Sequence, residues 1–189
     1  MNERSLGPPR QILVVRHAEK PALLGPPSGV DENGAARAHS LIVKGWQRAG
    51  ALASFFAEPR DLALQRPTAV YAPPTDSAHG DHGRPYETVT PTAAKLGVTI
   101  NTRYALDQES ELVPALLQAG GVILVAWEHN RIPRIANAIL GDDTTAPQSW
   151  PDSRFDVVWI FDRDGEAGYR FTQRPQLLLS GDCEQCIDN

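Results

Sequence analysis

The amino-acid sequence predicts a three-layer α/β/α sandwich built on a mainly parallel sheet, with an antiparallel element at one edge. Patterns typical of strands alternate along the chain with patterns typical of helices, as expected when helices connect parallel strands. Two uninterrupted apolar runs, at 12–15 and 122–126, indicate strands buried on both faces. Near the end, Asp164-Gly165 separates two more strand patterns as the turn of a hairpin would.

The first half of the chain is predicted to hold three strands and two helices. A loop rich in proline and glycine follows the first strand, and apolar residues among alanines then predict an amphipathic helix over 44–57. A short strand at 68–71 ends at two prolines. The helix predicted at 85–96 begins with proline, which is favourable in a first helical turn, and ends at a glycine. A brief strand at 98–101 follows.

The second half is predicted to hold two helices and three strands. A helix at 109–118 leads through two glycines into the buried strand at 122–126. The helix predicted at 132–140 carries its apolar residues on one side, as a helix packed on a sheet does. The hairpin strands are predicted at 155–162 and 168–172, and they supply the antiparallel element.

The composition is that of an ordinary globular domain, with 41% apolar and 22% charged residues. Because no linker divides the chain, residues 1–189 are predicted to form one domain with flexible tails at 1–10 and 181–189. A net charge of -5 argues against nucleic-acid and anionic-membrane partners. No apolar run suits a signal peptide or a membrane span, which predicts a cytoplasmic protein. The two cysteines, Cys183 and Cys186, are too few for a zinc site and are expected in a surface tail.

Each of the two buried strands is followed by a histidine. His17 comes directly after Arg16 at the end of the first strand, and His129 follows the second strand. Since ligand sites in open α/β sheets lie at the carboxyl ends of strands, adjacent strands would bring both histidines to one pocket. Arg84, near the start of a predicted helix, adds a second guanidinium, so the four side chains suit a phosphate group. We expect neither a metal nor a cofactor, because no carboxylate cluster near the histidines has metal-ligand spacing.

A histidine in such a pocket can act as a nucleophile. Neighbouring guanidinium groups disfavour the imidazolium form and so leave a ring nitrogen lone pair available. The same positive charges would stabilise the transition state of phosphoryl transfer. Attack on phosphorus would form a phosphohistidine that water then hydrolyses, and an acid would protonate the leaving oxygen.

Five segments of the chain follow one another in an order shared with a known family. Arg16-His17-Ala18-Glu19 resembles that family's Arg-His-Gly-Glu signature. The other segments are 41–49 (similar to Leu-Thr-x-x-Gly-x-x-Gln-Ala), 70–73 (similar to Ile-Tyr-Ser-Ser-Pro), 84–89 (similar to Arg-Ala-x-Gln-Thr-Ala) and 122–133 (similar to the strand that ends in a second catalytic histidine). The family is the histidine phosphatase (phosphoglycerate mutase-like) superfamily, and the resemblance implies its three-layer α/β/α fold.

The resemblance also implies a role for each site residue. It makes His17 the nucleophile that accepts phosphate, and it makes Arg16, Arg84 and His129 the rest of the phosphate pocket. The general acid is open among four carboxylates. Asp107, Glu109 and Glu111 lie in the region where family members often carry their acid, and Glu128 directly precedes the second histidine. Of the four, Glu109 and Glu128 are favoured equally.

The chain departs from the family pattern at several positions. Ala18 replaces glycine and Val43 replaces threonine, while the segment between Pro74 and Arg84 is long and contains His79 and His82, which we expect to be polar loop residues. These departures weaken the inference of a substrate more than that of the chemistry.

The sequence therefore predicts a metal-independent phosphatase acting on a phosphorylated small molecule, with a phosphoprotein as a further option. The short chain favours a phosphatase over a mutase, and a protein-phosphohistidine phosphatase would use the same chemistry. A non-catalytic module that binds phosphate or a partner on the same fold is the alternative of another class. A homodimer through the edge hairpin is left open. Glu19 is expected to be an exposed charge or to orient Arg16 or Arg84.

Overall fold

The computed structural model describes residues 6–22, 24–75, 83–165 and 168–188, and His79 and His82 lie outside these ranges. Within these ranges, six strands and four helices follow one another. They are β1 (Gln11–Arg16), α1 (Val43–Ala57), β2 (Ala69–Tyr71), α2 (Gly83–Leu96), β3 (Ile100–Asn101), α3 (Glu109–Leu116), β4 (Val122–Trp127), α4 (Ile132–Leu140), β5 (Val157–Arg163) and β6 (Tyr169–Pro175). The order predicted from the sequence is confirmed, with boundaries that differ by a few residues.

The six strands form one mixed sheet in the order β3-β2-β4-β1-β5-β6. β1 pairs with β4 in parallel, and β4 pairs with β2 in parallel. β5 runs antiparallel to both of its neighbours, so the hairpin forms the predicted antiparallel element at one edge. The predicted adjacency of the two buried strands is therefore confirmed, and it places the residues that follow β1 and β4 side by side.

Helices cover both faces of the sheet, as the continuous apolar runs require. Leu13 and Val15 face the side of α1 and α2, where they pack in one core with Phe56. Ile12 and Val14 face the opposite side and pack in a second core with side chains of α3 and α4. Burial of each such side chain contributes about 1.5–3 kcal/mol, so the two central strands hold the site edge rigidly.

In both of the predicted tails, some of the described residues contact the rest of the protein, while others, such as Pro8 and Glu184, are exposed. The backbone N–H of Leu6 donates to the Gln118 carbonyl at 3.0 Å. At the other end, Ile187 is only 6% exposed and joins the core on the α3 and α4 side. Asp182 pairs with the buried Arg48 of α1 at 2.6 Å. Single buried contacts of this kind carry no periodic sequence signal, so a pattern analysis does not reveal them.

Within the described ranges, no helix is both long and apolar enough to cross a membrane. Cys183 and Cys186 carry free thiols, the first partly exposed and the second exposed. Their position in a surface segment agrees with the sequence analysis.

Candidate active site

The carboxyl ends of β1 and β4 bring His17 and His129 together. The parallel register pairs Arg16 with Trp127, and the His17 N–H extends the ladder by donating to the Trp127 carbonyl at 3.1 Å. The two imidazole rings lie 6.3 Å apart between centroids and are almost perpendicular. The spacing leaves room for a small anion that contacts both rings.

His17 is held as a neutral imidazole with one ring nitrogen available. Its Nδ1 lies 2.8 Å from the Ala18 carbonyl, an acceptor, so Nδ1 carries the proton and Nε2 keeps its lone pair. Burial lowers the pKa of His17 to about 3, although the Ala18 hydrogen bond acts in the opposite direction. The positive charges of Arg16, Arg84 and Lys20 lower it further. At neutral pH the ring is therefore a nucleophile rather than a cation.

Helix α2 is joined to Ala18, the residue after His17, by a buried threonine. The Ala18 N–H donates to Thr88 Oγ1 at 2.8 Å, and the same hydroxyl donates to the Arg84 carbonyl at 2.7 Å. Arg84 therefore lies in the first turn of α2 next to the site, and its Nε donates to the His39 carbonyl at 3.1 Å. Its charge reaches His17, whose pKa it lowers.

Arg16 is buried, and three backbone carbonyls occupy one end of its guanidinium. Its Nη1 donates to the carbonyls of Pro151, Asp152 and Arg154 at 2.8–3.0 Å, and the Phe155 ring stacks 3.9 Å from the guanidinium carbon. Burial lowers the pKa of Arg16 to about 10, so it remains a cation at neutral pH. Its Nε and Nη2 are buried and have no hydrogen-bond partner. Two unmet donors on a buried cation indicate a place for an anion.

His129 lies between two carboxylates. Its Nδ1 is 2.7 Å from Glu128 Oε1, and its Nε2 is 2.7 Å from Asp152 Oδ1. Burial alone would raise the pKa of Glu128, but the contacts with His129 and the Asn130 backbone lower it to about 2. Glu128 is therefore ionised at neutral pH, where it can orient His129 but has no proton of its own to donate.

Glu109, the other predicted acid, lies on the α3 side of the sheet edge. Its Oε1 accepts a hydrogen bond from the Trp127 indole at 2.9 Å, and its Oε2 is 3.7 Å from Arg131. Arg131 also pairs with Asp107, whereas Glu111 is exposed. The Asp107 backbone N–H also donates to Glu109 Oε1, at 3.3 Å, and within the described ranges none of these contacts involves His17 or His129. Trp127 is fully buried in the core and does not line the cleft.

Glu19 is not an exposed charge, which corrects one of the two sequence-based expectations for this residue. It is buried, and both of its carboxylate oxygens accept hydrogen bonds from Arg48 at 2.8–3.1 Å. Helix α1 approaches so closely here that a Cβ on Gly45 would lie 2.5 Å from the Glu19 carbonyl oxygen. This explains the glycine in the helix-start motif and shows that Glu19 anchors the loop that follows His17.

A cleft of about 630 Å³ adjoins the site at Arg84 and Asp152. Lys20, Arg84 and Asp152 supply its charged side chains, and small residues of the loop after β1 complete its walls. Nothing in the described parts of the chain pairs with the Lys20 ammonium group. The sequence analysis missed Lys20, Asp152 and Phe155 as site residues. Asp152 and Phe155 lie in an irregular segment between α4 and β5, where no sequence periodicity or motif indicates a site residue.

No protein-family model matches the chain, and no curated protein matches it in sequence. Solved structures do match. The protein histidine phosphatase SixA complexed with tungstate has a TM-score of 0.55 at 12% identity, covering 88% of this chain and 97% of that chain. For a mycobacterial glucosyl-3-phosphoglycerate phosphatase complexed with VO3, the TM-score is 0.53 at 14% identity, with 87% and 97% covered. The SixA protein of Agrobacterium tumefaciens gives 0.51 at 18% identity, with 87% and 96% covered.

The chain has the fold of the histidine phosphatases. This confirms the phosphoglycerate mutase-like α/β fold that the sequence motifs implied. At this level of identity the similarity concerns the fold alone. Within the described ranges, no group of three or more histidine, cysteine, aspartate or glutamate side chains could hold a metal ion.

Proposed function

We propose that this protein is a metal-independent phosphatase that hydrolyses a phosphomonoester through a phosphohistidine on His17. The observation that carries the proposal is the position of a neutral, oriented imidazole beside unmet guanidinium donors. His17 Nε2 keeps its lone pair, while Arg16 Nε and Nη2 are buried donors without a hydrogen-bond partner. A phosphoryl group placed between them would meet a nucleophile on one side and positive charge on its oxygens.

The reaction proceeds in two steps. In the first, the lone pair of His17 Nε2 forms a bond to phosphorus while the bond from phosphorus to the leaving oxygen breaks. The charges of Arg16 and Arg84 offset the negative charge on the phosphoryl oxygens. In the second step, water attacks the phosphohistidine, the bond from phosphorus to nitrogen breaks, and inorganic phosphate leaves. The first product is the alcohol released from the ester.

The leaving oxygen takes its proton from the pair formed by His129 and Glu128. The Nε2 atom of His129 faces the pocket, and Glu128 lies at the opposite nitrogen, 2.7 Å from Nδ1. A carboxylate in this position orients an imidazole and stabilises its protonated form. This assignment gives Glu128 a supporting role and leaves Glu109 as the competing acid, which mutation can test.

The structural neighbours support an oxyanion in this pocket. One is described in complex with tungstate, one with VO3 and one with inorganic phosphate. The cleft beside the pocket adds the cations Lys20 and Arg84 to its walls. The oxyanions bound by these neighbours and the cations of the cleft together favour an anionic phosphorylated substrate, either a small molecule or a phosphorylated side chain.

The direct test is hydrolysis of p-nitrophenyl phosphate in the presence of EDTA. We expect turnover by the unmodified protein and a loss of about a thousandfold or more in His17→Ala. His39→Ala is the matched control, because His39 is exposed and contributes only its backbone carbonyl near the site. Rapid quenching should also trap acid-labile phosphate on the protein and none on His17→Ala.

Undiminished hydrolysis in His17→Ala would overturn the proposal. Tight phosphate or vanadate binding by the unmodified protein without any turnover would instead identify a non-catalytic anion-binding module.

A further inference from the structure

The carboxylate of Asp152 lies inside the pocket that the two histidines and Arg16 form. Its Oδ1 is 2.7 Å from His129 Nε2 and 3.8 Å from Arg16 Nη2. Arg16 Nη2 is one of the buried donors that lack a hydrogen-bond partner. An oxygen anion of the protein itself therefore lies between the two groups best placed to bind an oxygen of the substrate.

Asp152 is fixed through its backbone but not through its side chain. Its carbonyl accepts a hydrogen bond from Arg16 Nη1 at 2.8 Å, which holds the segment against the site. The side chain is 84% exposed at the wall of the cleft. A rotation about its side-chain bonds would move the carboxylate into solvent without any change in the backbone contact.

Glu128, the other carboxylate at His129, differs in each of these respects. It lies at Nδ1, on the opposite side of the ring from the pocket, and its side chain is 24% exposed. Its Oε1 also accepts a hydrogen bond from the Asn130 amide at 3.0 Å. Of the two carboxylates, only Asp152 occupies the space that a phosphoryl oxygen would need.

We propose that the Asp152 carboxylate occupies a phosphoryl-oxygen position of the free protein and is displaced when substrate phosphate binds. The proposal rests on the phosphate pocket of the proposed function. Carboxylate and phosphate oxygens accept hydrogen bonds from the same donors, and two anions repel each other at close range. The phosphate must therefore replace the carboxylate rather than bind beside it, and Asp152 sets the affinity of the pocket for phosphate.

The first test measures the affinity for inorganic phosphate and vanadate by calorimetry in the unmodified protein and three variants. We expect the dissociation constant to fall about fivefold in Asp152→Ala, since an ion pair whose carboxylate is exposed contributes up to about this factor. Asp152→Asn should show a smaller fall, because the amide oxygen can keep its place beside His129 Nε2. Asp143→Asn, an exposed aspartate on the same segment, is the control for the loss of one negative charge. An unchanged or larger dissociation constant in Asp152→Ala would overturn the proposal.

The second test distinguishes displacement of the Asp152 carboxylate from a long-range effect of its charge on phosphate affinity. The nitrogen NMR signal of His129 Nε2 should differ between the unmodified protein and Asp152→Ala when phosphate is absent. With phosphate saturating, the two signals should coincide, because the carboxylate has left the ring. A difference that persists at saturation would mean that Asp152 stays in place, and the proposal would be wrong.

Both measurements follow binding and require no turnover. Absence of hydrolysis would therefore defeat the proposed function without touching the role of Asp152. Conversely, if the Asp152 carboxylate stays next to His129 when phosphate is bound, the displacement proposal is wrong, and the proposed phosphohistidine chemistry is unaffected.

Discussion

The Ala18 N–H donates to Thr88 Oγ1 at 2.8 Å, and this contact joins helix α2 to the residue that follows the nucleophile. Thr88→Val would leave the buried N–H without an acceptor, which costs about 1–3 kcal/mol of unfolding free energy. We also expect kcat/KM to fall about tenfold, because the Thr88 hydroxyl no longer links Ala18, next to His17, to the Arg84 carbonyl. Thr88→Ser should restore most of both quantities. Thr90→Val is the control, since the Thr90 hydroxyl donates only to its own helix, and an equal loss there would contradict this account.

His17 should not titrate in the ordinary range of histidine. Burial lowers its pKa from 6.5 to about 3, so NMR should show a neutral ring between pH 8 and 5, with the proton on Nδ1. Because the folded pKa lies below the unfolded one, the unfolded chain takes up the proton first as pH falls. His17 therefore lowers the stability of the fold progressively from pH 6.5 towards pH 3. A ring that protonates near pH 6.5 would refute the assignment.

Replacing each candidate acid should give a different result. Glu128→Gln is expected to lower kcat about ten- to a hundredfold, because a neutral amide cannot stabilise a protonated His129. Glu109→Gln should leave kcat within about threefold but lower the unfolding free energy by about 1 kcal/mol, since Arg131 loses a carboxylate neighbour. Steady-state kinetics and urea denaturation measure both. The reverse pattern, a large loss of kcat in Glu109→Gln alone, would make Glu109 the proton donor.

Two glycines of helix α1 should respond to alanine in opposite directions. In Gly45→Ala the new Cβ would lie 2.5 Å from the Glu19 carbonyl oxygen, and such overpacking costs about 1–3 kcal/mol. Gly50 faces open space on the same helix, so Gly50→Ala should stabilise the protein by about 0.5–1 kcal/mol. Urea denaturation compares the two directly. Equal effects would mean that α1 does not press on the loop behind His17.

The ion pairs of Arg48 should make stability depend on the segment that follows β6. Asp182→Ala removes a buried partner at 2.6 Å, and breaking such a pair costs about 3 kcal/mol. Asp188→Ala, an exposed position in the same segment, is the control. Burial alone would raise the pKa of Asp182, but Arg48 and two backbone N–H groups lower it from 3.8 to about 2. This contribution should therefore be complete above about pH 4 and lost as pH falls towards 2 in thermal unfolding.

Patterns local to one element could be predicted from the sequence. The apolar runs of β1 and β4 define buried strands, and the residues after them define the chemistry, so His17 and His129 could be placed together before any coordinates. The mixed sheet followed from the same alternation of strands and helices.

Contacts between distant, irregular segments could not be predicted in this way. The three carbonyls that bind Arg16 Nη1 lie in a segment with no periodicity, and Asp152 stands there as an ordinary exposed aspartate. The pairing of Glu19 with Arg48 joins two segments whose approach depends on how α1 packs. A sequence pattern specifies residue types along one element, whereas these partners are chosen by three-dimensional packing.

The position of β1 in the sheet has a consequence for the order of folding. β1 is the first strand that the structure describes, yet its two partners are β4 and β5, so Gln11 must pair with Val122 on one side and with Asp162 on the other. Pairings between such distant segments form slowly, because long loops must close before any contact compensates for the lost entropy. During refolding, formation of the sheet edge that carries His17 and His129 should therefore be a late event that follows the appearance of helical structure.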